Sequence, residues 1–157
     1  MKKRISIILV SLFILITSCE SDKFIYENNQ GFINNTWSYE DAKSFSVDIT
    51  DTLIPIKLFI NLRTTTDYPY RNIYMFFHSN YPNGYTDIDT FEFFLADQEG
   101  HWLGDNSGTV VENRAIISRG YFPTVGEYNF KIEQAMRNDS LPEVLDVGVR
   151  IEIISDN

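Results

Sequence analysis

The chain has 157 residues, a single cysteine and a formal net charge of −9. This length suits one domain with one core, and the lone cysteine excludes a disulfide within the chain. The acidic balance argues against nucleic-acid binding, because acidic surfaces repel a phosphate backbone. It also argues against adsorption on anionic lipid by charge alone.

The N-terminal segment has the parts of a secretory signal peptide. A basic Lys-Lys-Arg start precedes an apolar run from Ile5 to Ile16. About a dozen apolar residues are too few to cross a hydrocarbon core of roughly 30 Å as a helix. The run ends in Ile16-Thr17-Ser18-Cys19, which matches the bacterial lipobox. We therefore expect cleavage after Ser18 and lipid on Cys19. The alternatives are an uncleaved membrane anchor and an ordinary buried cysteine.

The residues after the cysteine are polar and rich in asparagine. We interpret 19–35 as a lipidated tether between the membrane and the domain. Within it, the stretch from Lys23 to Tyr26 is apolar enough to pair at a sheet edge. Without residues 1–18 the chain keeps ten basic and 22 acidic residues, a net charge of −12.

Alternation of apolar and polar residues then dominates the chain, as in half-buried strands. Turn residues such as Pro82-Asn83-Gly84 separate the runs. The run from Tyr74 to Phe77 is apolar on both sides and predicts a strand in the middle of a sheet or under a loop. Only Ile132 to Asp139 could form a helical turn. The predicted strands are Phe45–Ile49, Ile54–Leu62, Ile73–His78, Phe91–Ala96, Tyr128–Glu133 and Leu145–Ile154, with weaker candidates at 36–39 and 109–117.

Strands at this spacing without intervening helices predict an all-β fold. We expect a single antiparallel β-sandwich domain over residues 36–157, immunoglobulin-like or jelly-roll-like. Aromatic residues make up 15% of the chain and supply large side chains for its core.

Catalytic and cofactor motifs are sparse. The two histidines, His78 and His101, cannot form a zinc site from closely spaced cysteines and histidines, because the only cysteine is the lipobox residue. Neither a glycine-rich phosphate loop followed by Lys-Ser/Thr nor a Gly-x-Ser-x-Gly elbow occurs. We expect packed or surface histidines, no cofactor, no metal and no enzymatic activity.

Five acidic residues form the best constellation of possible ligands. Calcium prefers oxygen ligands in flexible loops, but the spacing of these acids does not match the calcium-loop pattern. We favour solvated turn carboxylates over a calcium site. The five are Asp87, Asp89, Asp97, Glu99 and Asp105.

Aromatic residues are frequent in the expected loops. They could form a protein-contact patch, a platform on which sugars stack, or inward-facing caps of the sheet ends. The sequence leaves these three alternatives open. The residues are Trp37, Tyr39, Tyr68, Tyr70, Tyr81, Tyr85, Trp102 and Tyr121.

Several of these stretches together resemble one family. Tyr68-Pro-Tyr-Arg-Asn72 leads into an apolar strand, and Asp89-Thr-Phe-Glu-Phe-Phe-Leu-Ala-Asp97 leads to Gly-His-Trp-Leu-Gly104. The most specific part is Gln-Ala-Met-Arg137 followed by Asp-Val-Gly-Val-Arg-Ile-Glu152. With the lipobox in front, the series resembles the gliding motility lipoprotein family GldH of the Bacteroidetes over nearly the whole chain.

The resemblance implies a cell-envelope lipoprotein at the outer membrane that belongs to the gliding machinery and is linked to type IX secretion. It implies no enzymatic activity and offers no catalytic residues. Surface lipoproteins of this phylum often carry an acidic run after the lipidated cysteine. Glu20-Ser21-Asp22-Lys23 matches that run only in part, which favours the periplasmic face. Thr52 and Ser140 lie in triplets that resemble the O-glycosylation signal of the phylum, or they are simply turn residues.

We therefore expect a non-catalytic assembly subunit that docks other gliding or type IX secretion envelope proteins through an edge strand or an aromatic patch. The alternative is a glycan-binding envelope lipoprotein, by analogy with sandwich folds that bind sugars. The residues expected to contact partners are Tyr70, Arg71, Trp102, Met136 and Arg137.

Overall fold

The computed structural model describes residues 24–154. In this part of the chain the regular structure consists of strands and one 3-10 turn at Ile33–Asn35. The strands are β1 (Phe24–Gly31), β2 (Thr36–Ser38), β3 (Lys43–Ile49), β4 (Ile56–Thr65), β5 (Asn72–Asn80), β6 (Thr86–Phe94), β7 (Asp105–Ser107), β8 (Val110–Gly120), β9 (Gly126–Gln134), β10 (Ser140–Pro142) and β11 (Val144–Ile153).

The strands form two antiparallel sheets that pack as a sandwich. The larger sheet has the order β1-β11-β4-β8-β7, and the smaller sheet has the order β3-β9-β5-β6. A short ribbon of β2 and β10 lies beside them. The expected all-β antiparallel sandwich is therefore confirmed.

The core lies between the two inner faces, as the alternation predicts. Ile60 of β4 and Val149 of β11 are fully buried from the larger sheet, and Met75 and Ile132 from the smaller one. Because β5 lies between β9 and β6, the expectation of a mid-sheet strand there is confirmed.

The strand registers define two ends of the sandwich. Phe24 begins β1 at one end, and the pairing of Ile56 with Gly120 brings the start of β4 and the end of β8 to the same end. Ile49 pairs with Gly126 there in the smaller sheet. We call this the β1 end. Its loops span residues 50–55, 81–85 and 121–125.

The tether prediction for 19–35 is wrong from Phe24 onward. Strand β1 pairs with β11 over its whole length. Its polar residues include Glu27 and Asn29, which hydrogen bond across the outer face of the sheet, so a polar composition here indicates an edge strand rather than a linker. Edge pairing of the Lys23–Tyr26 stretch is confirmed from Phe24. Cys19, the signal peptide and Lys23 lie outside the described residues.

The helical turn expected at Ile132–Asp139 is also wrong. Strand β9 continues to Gln134, and irregular structure follows. The Gln134 side chain replaces the hydrogen bonds that a helical turn would make. Its Oε1 accepts from the Met136 backbone N–H at 2.8 Å, and its Nε2 donates to the Asn138 carbonyl at 2.9 Å.

Candidate functional site

The outer face of the smaller sheet carries apolar side chains where a solvated sheet face is normally polar. Tyr74 and Phe76 of β5 share this face with Ile88 and Phe94 of β6, and the exposed fractions of the four range from 37% to 60%. We call these four residues the aromatic face. Among residues 24–154, β6 is the last strand of its sheet, so the aromatic face borders a strand edge that no described strand pairs. Exposed apolar surface of this kind marks interaction sites.

Three of the expected contact residues lie beside the aromatic face. The Arg71 guanidinium is 5.9 Å from the centre of the Phe94 ring. Met136 Sδ accepts from the Tyr74 backbone N–H at 3.3 Å, and the exposed Arg137 follows it in the chain. Cation–π contact holds Arg71 over the patch.

The other two expected contact residues are tied to the core. The Tyr70 ring packs edge-on against the buried Tyr68 at 5.7 Å. Trp102 pairs with Ala96 through the backbone, and its partly buried side chain packs against the core. Met136 packs against the core as well. All five residues lie at the end opposite the β1 end.

Charged groups lie among and beside the residues of the aromatic face. Glu133 is 3.0 Å from His78 Nε2 and 2.5 Å from Lys131 Nζ. The hydrogen bond from Lys131, helped by the one from His78, lowers the pKa of Glu133 below its ordinary value. A hydrogen bond to Glu92 raises the pKa of Tyr74 above its ordinary value. Polar groups are therefore interspersed among the four apolar side chains. Thr90 and Glu92 lie between Ile88 and Phe94 on β6, and Glu133 lies opposite Phe76 on β9.

The outer face of the larger sheet differs, because it carries a buried charge network. Arg150 bonds Glu27 at 2.5 Å and Glu152 at 2.6 Å, and its side chain is only 8% exposed. Burial alone would lower the pKa of Arg150, but the hydrogen bonds to Glu152 and Glu27 outweigh it and raise the pKa. Asn61 donates to Glu27 at 3.0 Å and accepts from Arg114 at 3.0 Å.

A polar groove of about 440 Å³ lies over this network. Gly104 closes one side of it, because a Cβ at this position would lie 2.4 Å from the Glu112 carbonyl. Asn113 lies under Gly104, and its Nδ2 is buried without a partner among residues 24–154. The groove is lined by Glu27, Asn29, Asn61, Arg63, Leu103, Gly104, Asp105, Glu112, Asn113 and Arg114.

Sequence reasoning missed this network, although a signal for it was present. Asp146, Arg150 and Glu152 alternate with apolar residues along β11, which places them on one face. Arg63 and Asn61 alternate in the same way along β4. Only the strand register brings the two sets together, and Arg63 then binds Asp146 through two nitrogen donors.

The five acidic residues considered as calcium ligands occupy three separate places. Asp87 and Asp89 line a cleft of about 150 Å³ between the sheets, and Asp105 lies on β7. Asp97, Glu99 and His101 have ligand atoms within 4.8 Å of one another.

Asp97 is held as a turn residue. Its Oδ1 accepts from the backbone N–H groups of Glu99 at 2.8 Å and His101 at 2.9 Å. The hydrogen bond from the His101 backbone is the main reason that the pKa of Asp97 is lowered. This arrangement is an ordinary Asx-type turn.

The loop aromatics divide into buried and exposed sets. Trp37 and Tyr68 are buried, and Trp37 stacks on Phe32 with ring centres 4.7 Å apart, so inward packing is the correct alternative for both. The exposed Tyr39 lies at one end of the sandwich, and Tyr85 and Tyr121 lie at the other. They do not form one stacking platform.

The two proposed glycosylation positions lie in different settings. Ser140 is exposed at the start of β10, where it pairs with Ser38. Thr52 is partly exposed in the loop between β3 and β4. O-glycosylation of Thr52 and Ser140 stays a prediction.

An all-β sandwich placed behind a lipobox defines a class of lipid-anchored cell-envelope proteins. The family model described as GldH lipoprotein matches residues 24–151, which is most of the chain. The chain belongs to the GldH lipoprotein family, as its motifs predicted, and is a gliding motility lipoprotein of the cell envelope. Within residues 24–154 there is no helix long and apolar enough to cross a membrane.

Two curated relatives match almost from end to end. A gliding motility lipoprotein GldH homolog of Christiangramia forsetii is 32% identical over 96% of this chain and 95% of its own. The gliding motility lipoprotein GldH of Flavobacterium johnsoniae is 28% identical over 92% of this chain and 94% of its own.

Similarity to solved structures is low. The dimeric latent PorU of Porphyromonas gingivalis aligns with 87% of this chain and 14% of its own, at a TM-score of 0.37 and 11% identity. TmCBM61, solved in complex with β-1,4-galactotriose, aligns with 87% of this chain and 93% of its own, at a TM-score of 0.36 and 9% identity.

Proposed function

We propose that this protein is a non-catalytic assembly subunit of the gliding machinery and that it acts together with type IX secretion. Lipid on Cys19 holds it at the outer membrane on the periplasmic side. There it binds other envelope proteins through the aromatic face and the neighbouring edge of β6. The observation that carries the proposal is the exposed apolar surface of Tyr74, Phe76, Ile88 and Phe94 on a sheet face.

The anatomy of this surface supports protein binding. Aromatic residues, methionine and arginine are enriched at protein interfaces. Here Met136 and Arg71 adjoin the four apolar side chains, and Glu133 with Lys131 lies on the same sheet face.

The edge strand supports a partner of a particular kind. Asp87 and Asp89 alternate along β6 on its inner side, and Glu92 lies on its outer side. Charges on an edge strand oppose self-association, because two copies would bring like charges together. A partner strand that carries lysine or arginine would instead complement them, and strand addition would satisfy the free backbone groups.

The surroundings of the histidines support a non-catalytic role. His78 is on the outer face of the smaller sheet, bound to Glu133, whereas the adjacent Ser79 lines the cleft between the sheets. The two side chains therefore cannot act together as nucleophile and base. His101 is a surface residue in the Asp97 turn.

Site-specific crosslinking in the native envelope tests the proposed surface. A photo-crosslinking amino acid replaces Phe76 in one tagged variant and Ile116 in the other. Ile116 is the matched control, because it is also an apolar residue about 40% exposed, but it lies on the outer face of the larger sheet. Capture of gliding or type IX secretion components from position 76 alone is the expected result. The same proteins at equal yield from both positions, or none from position 76, would contradict the proposal.

The polar groove favours one alternative, a glycan-binding lipoprotein. Its amide and charged side chains, among them Asn61, Glu112 and Arg114, are the donors and acceptors that sugar hydroxyls require. Arg114→Ala should then weaken glycan binding, whereas Phe76→Ser should not. An unchanged tryptophan emission across a broad polysaccharide set would remove this alternative.

A further inference from the structure

The loops at the β1 end carry large apolar side chains in exposed positions. Each of the three loops contributes at least one, and strand β1 contributes two more where it begins. Their exposed fractions range from 41% to 82%. The residues are Phe24, Ile25, Leu53, Tyr85, Tyr121 and Val125. Among residues 24–154 the loops of the opposite end have Ile33, Tyr39 and Leu103 of this kind, and Phe94 ends β6 there.

The local structure holds these side chains outward. The Leu53 backbone N–H donates to Asp51 Oδ1 at 2.8 Å, and the Tyr85 N–H donates to Asn83 Oδ1 at 3.0 Å. Side-chain bonds of this type fix a turn. The loops therefore present their apolar tips in a defined arrangement, and binding to an apolar phase would require little further ordering.

The distance to the lipid-bearing cysteine limits where this end can lie. Four residues lie between Cys19 and Phe24, so their Cα atoms are five steps apart and at most about 17 Å from each other. Strand β4 has ten residues, so the opposite end of the sandwich lies about 30 Å further away. A lipid on Cys19 therefore brings the β1 end to the bilayer.

We propose that the β1 end is a membrane-contacting surface, in which Leu53, Tyr85, Tyr121 and Val125 enter the headgroup region of the bilayer that holds the lipid. The inference rests on lipidation of Cys19. Tyrosine side chains favour the boundary between headgroups and hydrocarbon, and aliphatic side chains enter the hydrocarbon beyond that boundary.

The charges at the β1 end are mixed. Asp48 faces Glu127 across the smaller sheet, and Lys57 faces Arg119 across the larger one. The contact is therefore apolar rather than electrostatic, and raised salt should not abolish it. Contact at this end keeps both sheet faces away from the lipid, so the aromatic face stays open to partners.

Depth measurement on the lipidated full chain tests the proposal. Because lipid blocks the single native thiol, a cysteine introduced elsewhere can be labelled alone with an environment-sensitive fluorophore. Leu53→Cys and Tyr121→Cys report on the β1 end. Ile33→Cys and Tyr39→Cys are matched controls at the opposite end, since Ile33 and Leu53 are both 82% exposed. The proteins are reconstituted in phosphatidylethanolamine–phosphatidylglycerol vesicles with or without nitroxide-labelled lipid.

The expected result is a blue shift and a loss of emission in nitroxide vesicles at positions 53 and 121, with little change at 33 and 39. Equal quenching at all four positions, or water-like emission at 53 and 121 while the protein floats with the vesicles, would overturn the proposal. Failure of the anchor gives a different signature. The unsubstituted protein would then react with the thiol reagent at Cys19 and would not float with the vesicles. That result would disprove the lipidation of Cys19 and, with it, this inference.

Discussion

Gly148 of β11 lies so close to β1 that a Cβ atom on it would be 1.7 Å from Asn29 Oδ1 and 2.5 Å from the Asn28 carbonyl. The approach allows Asn29 to lie over the sheet and accept from Asn61 at 3.2 Å. The glycine in the Asp146–Glu152 motif thus permits the edge strand β1 to complete the outer face of the larger sheet.

Gly148→Ala should therefore destabilise the protein, because the methyl group has no space and β1 must shift. We expect a loss of about 1–3 kcal/mol in the free energy of unfolding, the usual range for overpacking. Urea unfolding followed by tryptophan fluorescence measures it. Gly31→Ala is the control, since its Cβ would meet the nearest atom at 3.6 Å, an ordinary contact. Equal losses in both variants would contradict this explanation.

Arg150→Met should destabilise the protein through the charges that it leaves behind. Glu27 and Glu152 would both lose a close cationic partner on a largely buried face. Removal of one member of a buried ion pair costs on the order of 3 kcal/mol. The exposed Arg137→Met is the control and should change the unfolding free energy by less than about 0.5 kcal/mol. Thermal and urea unfolding that leave Arg150→Met at wild-type stability would refute the prediction.

Glu133 should contribute a stability that depends on pH. Its pKa in the folded state is lowered, so the contribution is present above the unfolded value of 4.5 and is lost as pH falls through the folded pKa. The stability difference between wild type and Glu133→Gln should shrink as pH falls from about 5.5 to about 3. The whole effect should be below about 1 kcal/mol, as for partly exposed ion pairs. A difference that is constant with pH would contradict the assignment.

The aromatic face should matter for gliding and little for folding. The double variant Phe76→Ser and Phe94→Ser should reduce colony spreading and partner capture, because two of its four apolar side chains are lost. The double variant should still unfold cooperatively, since Phe76 and Phe94 lie outside the core and are 39% and 57% exposed. Ile116→Ser on the larger sheet is the control and should leave spreading unchanged. Normal spreading by the double variant would count against the aromatic face as the functional surface.

Much of the fold could be predicted from local pattern. Strands such as Lys43–Ile49 and Val144–Ile153 have one face in the core, and the alternation of apolar and polar residues along the sequence predicts that face. The pattern did not predict the strand at Phe24–Gly31, because its polar residues lie on the outer face of the larger sheet. It also failed at Met136, where the Gln134 side chain replaces helical hydrogen bonding.

The candidate surfaces were harder to predict than the strands. Arg71, Met136 and Arg137 were expected to contact partners, and the structure adds Tyr74 and Phe94 beside them. Tyr70, Trp102 and Met136 also pack against the core, and contact of all five expected residues with partners stays a prediction. An aromatic residue in a turn has the same appearance in a sequence whether it caps the core or faces solvent.

The sequence by itself determined the family, the lipobox at Cys19, the all-β class and the inner faces of the main strands. These properties depend on motifs or on neighbours along the chain. Only the tertiary structure decided that Glu27 meets Arg150 across 123 residues, that Phe76 and Phe94 share one exposed face, and that the apolar loops gather where β1 begins. Strand order and register decide such contacts, and both result from the packing of the whole sandwich.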